Sequence, residues 1–251
     1  MTPSTLEAIV LEPGFFERVG EVICRIAASH SEPETVHLLG EAKKHLGADA
    51  AVFCSFLRDE TDQLRFMLAC EPGWIHEYER VVCASHDPWI MHASNSSEAV
   101  CGSHLNIQSH AQLEALSFAR RFGFESTLIV PAPSSGGAAR FGLLVLGSRR
   151  EGFFESEGHT AVKVMARPLA MELHGWWVAQ SRRELIMRAK LTGIDLELLC
   201  YLHRGLSSKQ IAHELRRSTN AVDLLVSRLT AKLGVSRRGA AATLAAAYGL
   251  I

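Results

Sequence analysis

Three residues near the middle of the chain have the types and spacing of a binding site for a small molecule. Trp74 and Tyr78 are four residues apart, so a helix places both rings on one face, and Asp87-Pro88 follows in a loop. An indole N–H, an aromatic wall and a carboxylate can then converge on one cavity, as in pockets for amphipathic molecules. Taken alone, the same pattern also fits two core aromatics and a surface aspartate.

A second set of polar and basic side chains lies near the C-terminus. Between Ser218 and Lys232, apolar residues recur at helical spacing, and the opposite face carries short polar groups and cations that suit base edges and phosphates. The candidate DNA-binding residues are Ser207, Lys209, Ser218, Thr219, Asn220, Asp223, Ser227, Arg228 and Lys232. The alternative is a helical bundle that packs against another protein.

Catalytic, metal and cofactor chemistry finds little support in the sequence. The chain has no G-x-S-x-G or H-E-x-x-H motif, and residues 131–139 carry no phosphate-binding signature. Four histidines, at 86, 92, 104 and 110, lack the spacing of a metal site. The six cysteines form no C-x-x-C pair and are interpreted as reduced thiols. We predict no enzyme activity, no metal and no cofactor.

The punctuation of the last sixty or so residues predicts a helical bundle that contains a helix-turn-helix. Thr192 with Asp195 caps a first helix that Gly205 closes, and Ser207 with Gln210 forms a capping box for a second. The third helix, from Ser218 to Lys232 and closed by Gly234, is the predicted recognition helix.

The preceding residues contain apolar patterns with the spacing of helices and others with the spacing of strands. Helices are predicted at 15–26, 33–47, 112–122 and 155–183, and strands at 51–57, 64–69, 127–130 and 140–146, with turns at 58–63 and 131–139. At most five strands flanked by helices indicate an α-β-α sandwich with a central antiparallel sheet. The last of these helices is rich in apolar residues, and exposed aromatics there would suit a homodimer, although Trp176 can equally pack on the sheet.

Charge divides the chain into two parts. Residues 181–251 hold twelve Lys and Arg and five Asp and Glu, for a net charge of +7, so the other 180 residues hold the remaining fourteen and twenty-two, for −8. A basic module on an acidic body is typical of a DNA-binding tail. Because no apolar run is long enough to span a bilayer and no signal peptide is evident, we expect a cytoplasmic protein.

The C-terminal segment resembles the DNA-binding domain of the LuxR family of bacterial transcription regulators. The matching positions are Leu191-Thr192, Gly205, Ser207, Ile211-Ala212, Leu215, Ser218, Val222, Lys232-Leu233-Gly234-Val235 and Gly249-Leu250-Ile251. The departures from the family pattern are Ile194-Asp195, Tyr201, Ala221, Leu225 and Arg228. The resemblance implies that the fold is kept and that the usual DNA sequence preference is altered.

The Trp74, Tyr78 and Asp87-Pro88 spacing also resembles the domain that binds acyl-homoserine lactones in quorum-sensing LuxR proteins. The resemblance implies that Trp74 donates a hydrogen bond to the lactone carbonyl, that Asp87 accepts one from the amide N–H, and that Tyr78 lines the pocket. Three further positions differ: Cys70 replaces a tyrosine that bonds the acyl carbonyl, Gly102 replaces a tryptophan, and Thr127 replaces a glycine.

These replacements predict a changed pocket. Cys70 and Gly102 remove a hydrogen-bond donor and part of the aromatic wall, so we expect a larger or differently shaped cavity unless Trp89 or another ring fills it. A ligand carbonyl left without its donor would cost about 1–3 kcal/mol. The candidate ligand-binding residues are therefore Trp74, Tyr78, Asp87, Cys70, Trp89, Gly102 and Thr127.

Together these observations predict an α+β protein with a small all-α module at its C-terminus. Residues 1–180 are expected to form the ligand-sensing and dimerisation domain, 181–190 a linker and 191–251 the DNA-binding domain. The expected function is control of transcription by a homodimer at a palindromic operator in response to a small amphipathic signal. The alternatives are a ligand-independent regulator and an antagonist that forms heterodimers with another regulator.

Overall fold

The computed structural model describes residues 5–57, 60–82, 84–133 and 140–251, and these residues form two compact units. The first extends to Trp176 and the second begins at Trp177. The tip of the first predicted turn, most of the second predicted turn and Cys83 lie outside the described residues.

A five-stranded antiparallel sheet forms the centre of the first unit. Its strands are β1 (Ala50–Leu57), β2 (Glu60–Ala69), β3 (Val100–Cys101), β4 (Ser126–Pro133) and β5 (Arg140–Ser148), in the order β2-β1-β5-β4-β3. Four of these strands were predicted from their apolar runs. The two residues of β3 are too few to show any periodicity, and β2 begins earlier than its predicted start at Leu64.

Helices cover both faces of the sheet. Those of the first unit are α1 (Leu6–Val10), α2 (Phe15–Ala28), α3 (Glu32–His45), α4 (Trp74–Val81), α5 (Pro88–Asn95), α6 (His110–Arg121) and α7 (His159–Arg188), the last of which continues into the second unit. One sheet face, with Val52, Cys54 and Val145, packs against α4, α5 and α6. Gly142 points to the other face, where a side chain at that position would meet His174 of α7. The predicted α-β-α sandwich is confirmed.

Helix α7 differs from the prediction in its bounds and in its aromatics. It begins at His159 rather than Glu155 and continues to Arg188, so most of the expected linker at 181–190 is helical. The expectation of exposed aromatics is wrong, because Trp176 and Trp177 are each only 6% exposed. Trp176 donates its indole N–H to the Ser29 carbonyl at 3.0 Å, and such a donor is the usual condition for burying an indole.

The second unit contains a four-helix bundle built as its punctuation predicts. Its helices after α7 are α8 (Gly193–His203), α9 (Ser208–Glu214), α10 (Thr219–Leu233) and α11 (Arg238–Ala247). Both predicted capping boxes are present, and Gly234 ends α10 in the left-handed conformation that glycine adopts without steric cost. Helices α9 and α10 are the predicted helix-turn-helix. No helix within the described ranges is long and apolar enough to cross a membrane.

Candidate ligand site and nucleic-acid interface

Helix α4 supplies the two predicted aromatic residues of the ligand site. Trp74 and Tyr78 are both buried, and their rings stack with centroids 4.6 Å apart and planes 19° apart. Phe66 of β2 packs edge-on against both rings, and Phe118 of α6 packs against them from the helical layer. The predicted common face of Trp74 and Tyr78 therefore points into the core between sheet and helices.

Asp87 connects α4 to α5. One carboxylate oxygen accepts the Tyr78 hydroxyl at 2.8 Å, and the other accepts the backbone N–H groups of Trp89 at 2.8 Å and Ile90 at 3.4 Å, so Asp87 also caps α5. Burial raises the pKa of the Asp87 carboxyl above its ordinary value, and these three hydrogen bonds offset only part of the rise. Asp87 is buried in the core, so the interpretation as a surface aspartate is excluded.

Two indole N–H groups in this core lack an acceptor. Neither Trp74 Nε1 nor Trp89 Nε1 has a hydrogen-bond partner among the described residues, although the two side chains are 1% and 5% exposed. Buried donors are almost always paired in folded proteins, so an unpaired one requires an explanation. The Trp74 N–H is the donor that the family resemblance assigns to a ligand carbonyl.

The cavity beside Tyr78 and Asp87 is small, which fits the alternative in which Trp89 or another ring fills the space. Its volume is about 10 Å³, roughly enough for one water molecule, and Trp89 and Phe118 form part of its wall. Trp89 packs against Phe124 with ring centroids 5.3 Å apart, and Phe118 packs against Phe122 at 5.1 Å. Trp89 and Phe118 are thus held at the wall of this cavity by further aromatic contacts.

Gly102 and Thr127 line a separate cavity of about 300 Å³. The two positions are sterically coupled, because a Cβ at Gly102 would collide with the Thr127 hydroxyl. Leu116 lines both cavities, and Phe124 lines the larger one while packing on Trp89.

Cys70 lies next to the core that holds Trp74, Tyr78, Asp87 and Trp89. Burial raises the pKa of its thiol to about 11, so it stays protonated at neutral pH and is a weak hydrogen-bond donor. The structure therefore brings five of the seven predicted ligand residues into one core, and it places Gly102 and Thr127 in the neighbouring cavity.

Most of the predicted DNA-contacting residues are exposed on the second unit. Thr219, Asn220, Asp223, Ser227 and Arg228 lie on the exposed face of α10, and Lys209 is exposed on α9. The hydroxyls of Ser207 and Ser218 accept backbone N–H groups as helix caps, so they fix where α9 and α10 begin.

Lys232 is the exception among the predicted contacts. Its ammonium donates to the Asp195 carboxylate at 2.6 Å and to the Lys190 carbonyl at 3.2 Å. Burial alone would raise the pKa of Asp195, but the hydrogen bonds from Lys232 and Thr192 hold it below its ordinary value. Lys232 therefore joins the end of α10 to the start of α8, and we assign it a structural role.

Sequence reasoning missed two features of this surface. Leu224 is 53% exposed on α10, four residues after Asn220 and three before Ser227, which is the spacing of one helix face. Arg216 and Arg217 form the turn between α9 and α10, and Arg216 adopts a left-handed conformation with φ of 51°. An arginine therefore occupies a position whose backbone conformation a glycine would adopt with less strain.

Comparison with protein families identifies both units. Residues 31–175 match the family described as autoinducer binding domain, and residues 189–245 match the family described as bacterial regulatory proteins, luxR family. A search of curated proteins finds no match.

Several solved structures share the fold. The crystal structure of Escherichia coli SdiA aligns with a TM-score of 0.66 at 17% identity, covering 94% of this chain and 99% of SdiA. SdiA in complex with octanoyl-rac-glycerol gives 0.66 and 17%, covering 95% of this chain and 97% of that one. CepR2 from Burkholderia cenocepacia, described as an N-acylhomoserine lactone-dependent LuxR family transcription factor, gives 0.54 and 13%, covering 64% and 94%.

The Tyr78–Asp87 hydrogen bond generates a prediction about pH. Tyr78→Phe should lower the free energy of unfolding by about 1–3 kcal/mol at pH 7, because it removes a donor from a buried carboxylate. The pKa of Asp87 is raised, so in the folded state its carboxyl takes up a proton above the ordinary range of about 4. The destabilisation caused by Tyr78→Phe should therefore shrink as the pH is lowered from 7 to 4, because a neutral carboxyl is a weaker acceptor. Chemical denaturation at several pH values measures this. In an Asp87→Asn background the pH dependence of the cost should disappear; a cost that is equal at pH 4 and pH 7 in the parent would contradict the assignment.

The coupling of Gly102 and Thr127 generates a second prediction. Gly102→Ala should destabilise the protein by about 1–3 kcal/mol through overpacking, and Thr127→Ala in the same chain should recover most of that loss because it removes the colliding hydroxyl. The free energies of unfolding of the two single variants and the double variant measure the coupling. Additive effects would show that the two positions are independent.

Proposed function

Because the chain belongs to the LuxR family of transcription regulators and carries an autoinducer-binding domain, we propose that it senses a small amphipathic signal and controls transcription as a DNA-bound homodimer. Both families are those of a DNA-binding regulator and not of an enzyme.

One observation carries the ligand assignment: the buried Tyr78–Asp87 pair lies beside Trp74, whose N–H is unpaired among the described residues, in an otherwise apolar core. A ligand acceptor would satisfy the indole, and a ligand donor would give the Asp87 carboxylate a further hydrogen bond. An apolar chain would occupy space among the aromatic rings. Acyl-homoserine lactones combine these groups, and the octanoyl-rac-glycerol of the SdiA complex has a similar amphipathic character.

The small cavity implies how the signal acts. A volume of about 10 Å³ cannot hold an acylated molecule, so binding at this point requires α5 and α6, which line the cavity, to move apart. A ligand that binds only this opened form raises its population, by about 2.7 kcal/mol at a hundredfold excess over the Kd. We propose that the opened, liganded form is the one competent for dimerisation.

The second unit supports the DNA-binding role. Its exposed recognition helix lies in a segment with a net charge of +7, and Lys209, Arg216, Arg217 and Arg228 can contact phosphates. A dimer would bind two half-sites of a palindromic operator and increase the number of phosphate contacts, so DNA affinity should fall steeply with salt.

The dimer surface is proposed on helix α7. Val164 and Met171 are 56% and 45% exposed and two helical turns apart, so they form an apolar strip on the solvent face of this helix. Exposed apolar strips of this kind are typical of protein contacts. A regulator of chromosomal transcription acts where the DNA is, so we also propose a cytoplasmic location in a bacterium.

A second candidate is a regulator that needs no ligand, or an antagonist that works through heterodimers. The nearly closed cavity favours ligand independence, because the aromatic rings already complete the core. The exposed Asp223 on α10 favours an antagonist, because its charge repels phosphate.

The ligand assignment predicts a selective loss of binding. N-octanoyl-homoserine lactone or 1-octanoylglycerol should raise the thermal unfolding midpoint of the parent protein in a concentration-dependent way. Trp74→Phe and Asp87→Asn should weaken the apparent affinity about ten- to a hundredfold, because each removes one hydrogen bond to the ligand.

Trp176→Phe, outside the site, is the matched control and should keep the parent response. Parent-like responses of both site variants would refute the pocket assignment. A well-folded, DNA-binding parent that responds to no compound would favour the ligand-independent regulator.

Replacing Lys232 or Lys209 by methionine should have opposite effects on stability and on DNA binding. Lys232→Met should lower the free energy of unfolding by about 1–3 kcal/mol, because it leaves the buried Asp195 carboxylate without its cation. Lys209→Met should leave stability within about 0.5 kcal/mol and should reduce the salt dependence of DNA binding by about one phosphate contact. Denaturation and fluorescence anisotropy on a mixed-sequence duplex measure the two effects. If Lys209→Met destabilised the protein and Lys232→Met only reduced the salt dependence of DNA binding, both assignments would be wrong.

A further inference from the structure

Trp89 presents a second buried donor next to the proposed ligand site. Asp87 caps α5 and thereby fixes the backbone at Trp89, whose N–H is 2.8 Å from the carboxylate. The side chain is 5% exposed, and its indole Nε1 has no acceptor within the described parts of the chain. An unpaired N–H in such a core is costly, so an acceptor from another molecule would stabilise it.

The position of the Trp89 ring connects it to the ligand site. It lines the small cavity together with Tyr78 and Asp87, and its outer face packs against Phe124. Trp89 also belongs to the same buried cluster as Trp74, whose indole N–H is likewise unpaired among the described residues. One core therefore holds two buried indole donors: Trp74 precedes Tyr78 in the sequence, and Trp89 follows Asp87.

The chemistry at Cys70 explains why a second donor matters here. The family resemblance assigns a tyrosine hydroxyl at that position to the acyl carbonyl, and this chain has a protonated thiol with a pKa of about 11. A thiol is a weak donor, so the acyl carbonyl of a ligand needs a donor elsewhere. The only unpaired indole of the small cavity's wall, within the described residues, is that of Trp89.

We propose that Trp89 donates its indole N–H to the acyl carbonyl of the ligand, while Trp74 serves an oxygen of the head group. This inference rests on the proposed function and narrows its ligand class. The site then selects esters or amides of a medium-length acyl chain whose head group carries its own oxygen acceptor. An ether of the same length and head group lacks the carbonyl and is disfavoured.

The test compares two probes that differ in that carbonyl. Binding of 1-octanoylglycerol and of 1-O-octylglycerol is measured by calorimetry on the full-length protein and on Trp89→3-benzothienylalanine, in which sulfur replaces the N–H in a ring of similar shape. The parent should prefer the ester about ten- to a hundredfold. The variant should bind the ester as weakly as the ether.

The same replacement at Trp176 is the matched control, because that indole N–H has an acceptor in the Ser29 carbonyl. It should lower the thermal midpoint of the unliganded protein and leave the ester preference intact. The replacement at Trp89 should leave the unliganded midpoint unchanged or raised, since it removes a donor that has no partner. A lowered midpoint at Trp89 would show that its N–H is already satisfied and would overturn the proposal.

The outcomes separate this inference from the proposed function. A parent that binds the ester, with an ester preference that survives in the Trp89 variant, overturns the role of Trp89 alone. If the parent binds N-octanoyl-homoserine lactone but neither glycerol compound, the Trp89 variant should bind this lactone about ten- to a hundredfold more weakly than the parent does. An unchanged affinity of the variant would again overturn the role of Trp89. If none of the three compounds binds the parent, the proposed ligand site fails and this inference with it.

Discussion

A buried carboxylate, Asp87, joins α4 to α5 in the core of the first unit. It accepts the Tyr78 hydroxyl from α4 and the first backbone N–H groups of α5, so one side chain fixes both helices over the sheet. The positions of Trp74 and Trp89 follow, because one lies a helical turn before Tyr78 and the other two residues after Asp87.

The aromatic rings around this carboxylate determine how the unit can respond to a ligand. Trp89 packs on Phe124; Trp89 lines the small cavity beside Asp87, and Phe124 lines the larger one beside Gly102 and Thr127. Well-packed interiors rearrange between discrete packings and do not deform continuously. Opening this packed core to admit the proposed ligand would therefore be a two-state step, so that ligand occupancy changes the population of the opened form.

Local signals allowed most elements and part of the site to be predicted from the sequence. The capping boxes at Ser207 and Thr192 fixed helix starts, and the four-residue spacing of Trp74 and Tyr78 placed both rings on one face. Contacts between residues far apart in the sequence could not be predicted in this way. The contact of Trp89 with Phe124, thirty-five residues later, has no local signal, so the sequence left open whether Trp89 fills the space. The ion pair of Lys232 with Asp195 was not predicted, because the two residues are thirty-seven positions apart; the DNA contact of Lys232 stays a prediction.

The two buried aspartates differ in the charge of their partners, and this difference bears on their roles. Asp195 faces the Lys232 ammonium, so its pKa lies below the ordinary value and its charge is compensated within the fold. Among the described residues, Asp87 accepts hydrogen bonds from one hydroxyl and two backbone N–H groups, and burial leaves its pKa raised. A neutral donor from a ligand would stabilise the ionised form of Asp87 without introducing a second buried charge. The proposed signal therefore fits best as an uncharged molecule that brings an N–H or O–H to Asp87 and oxygen acceptors to the two indoles.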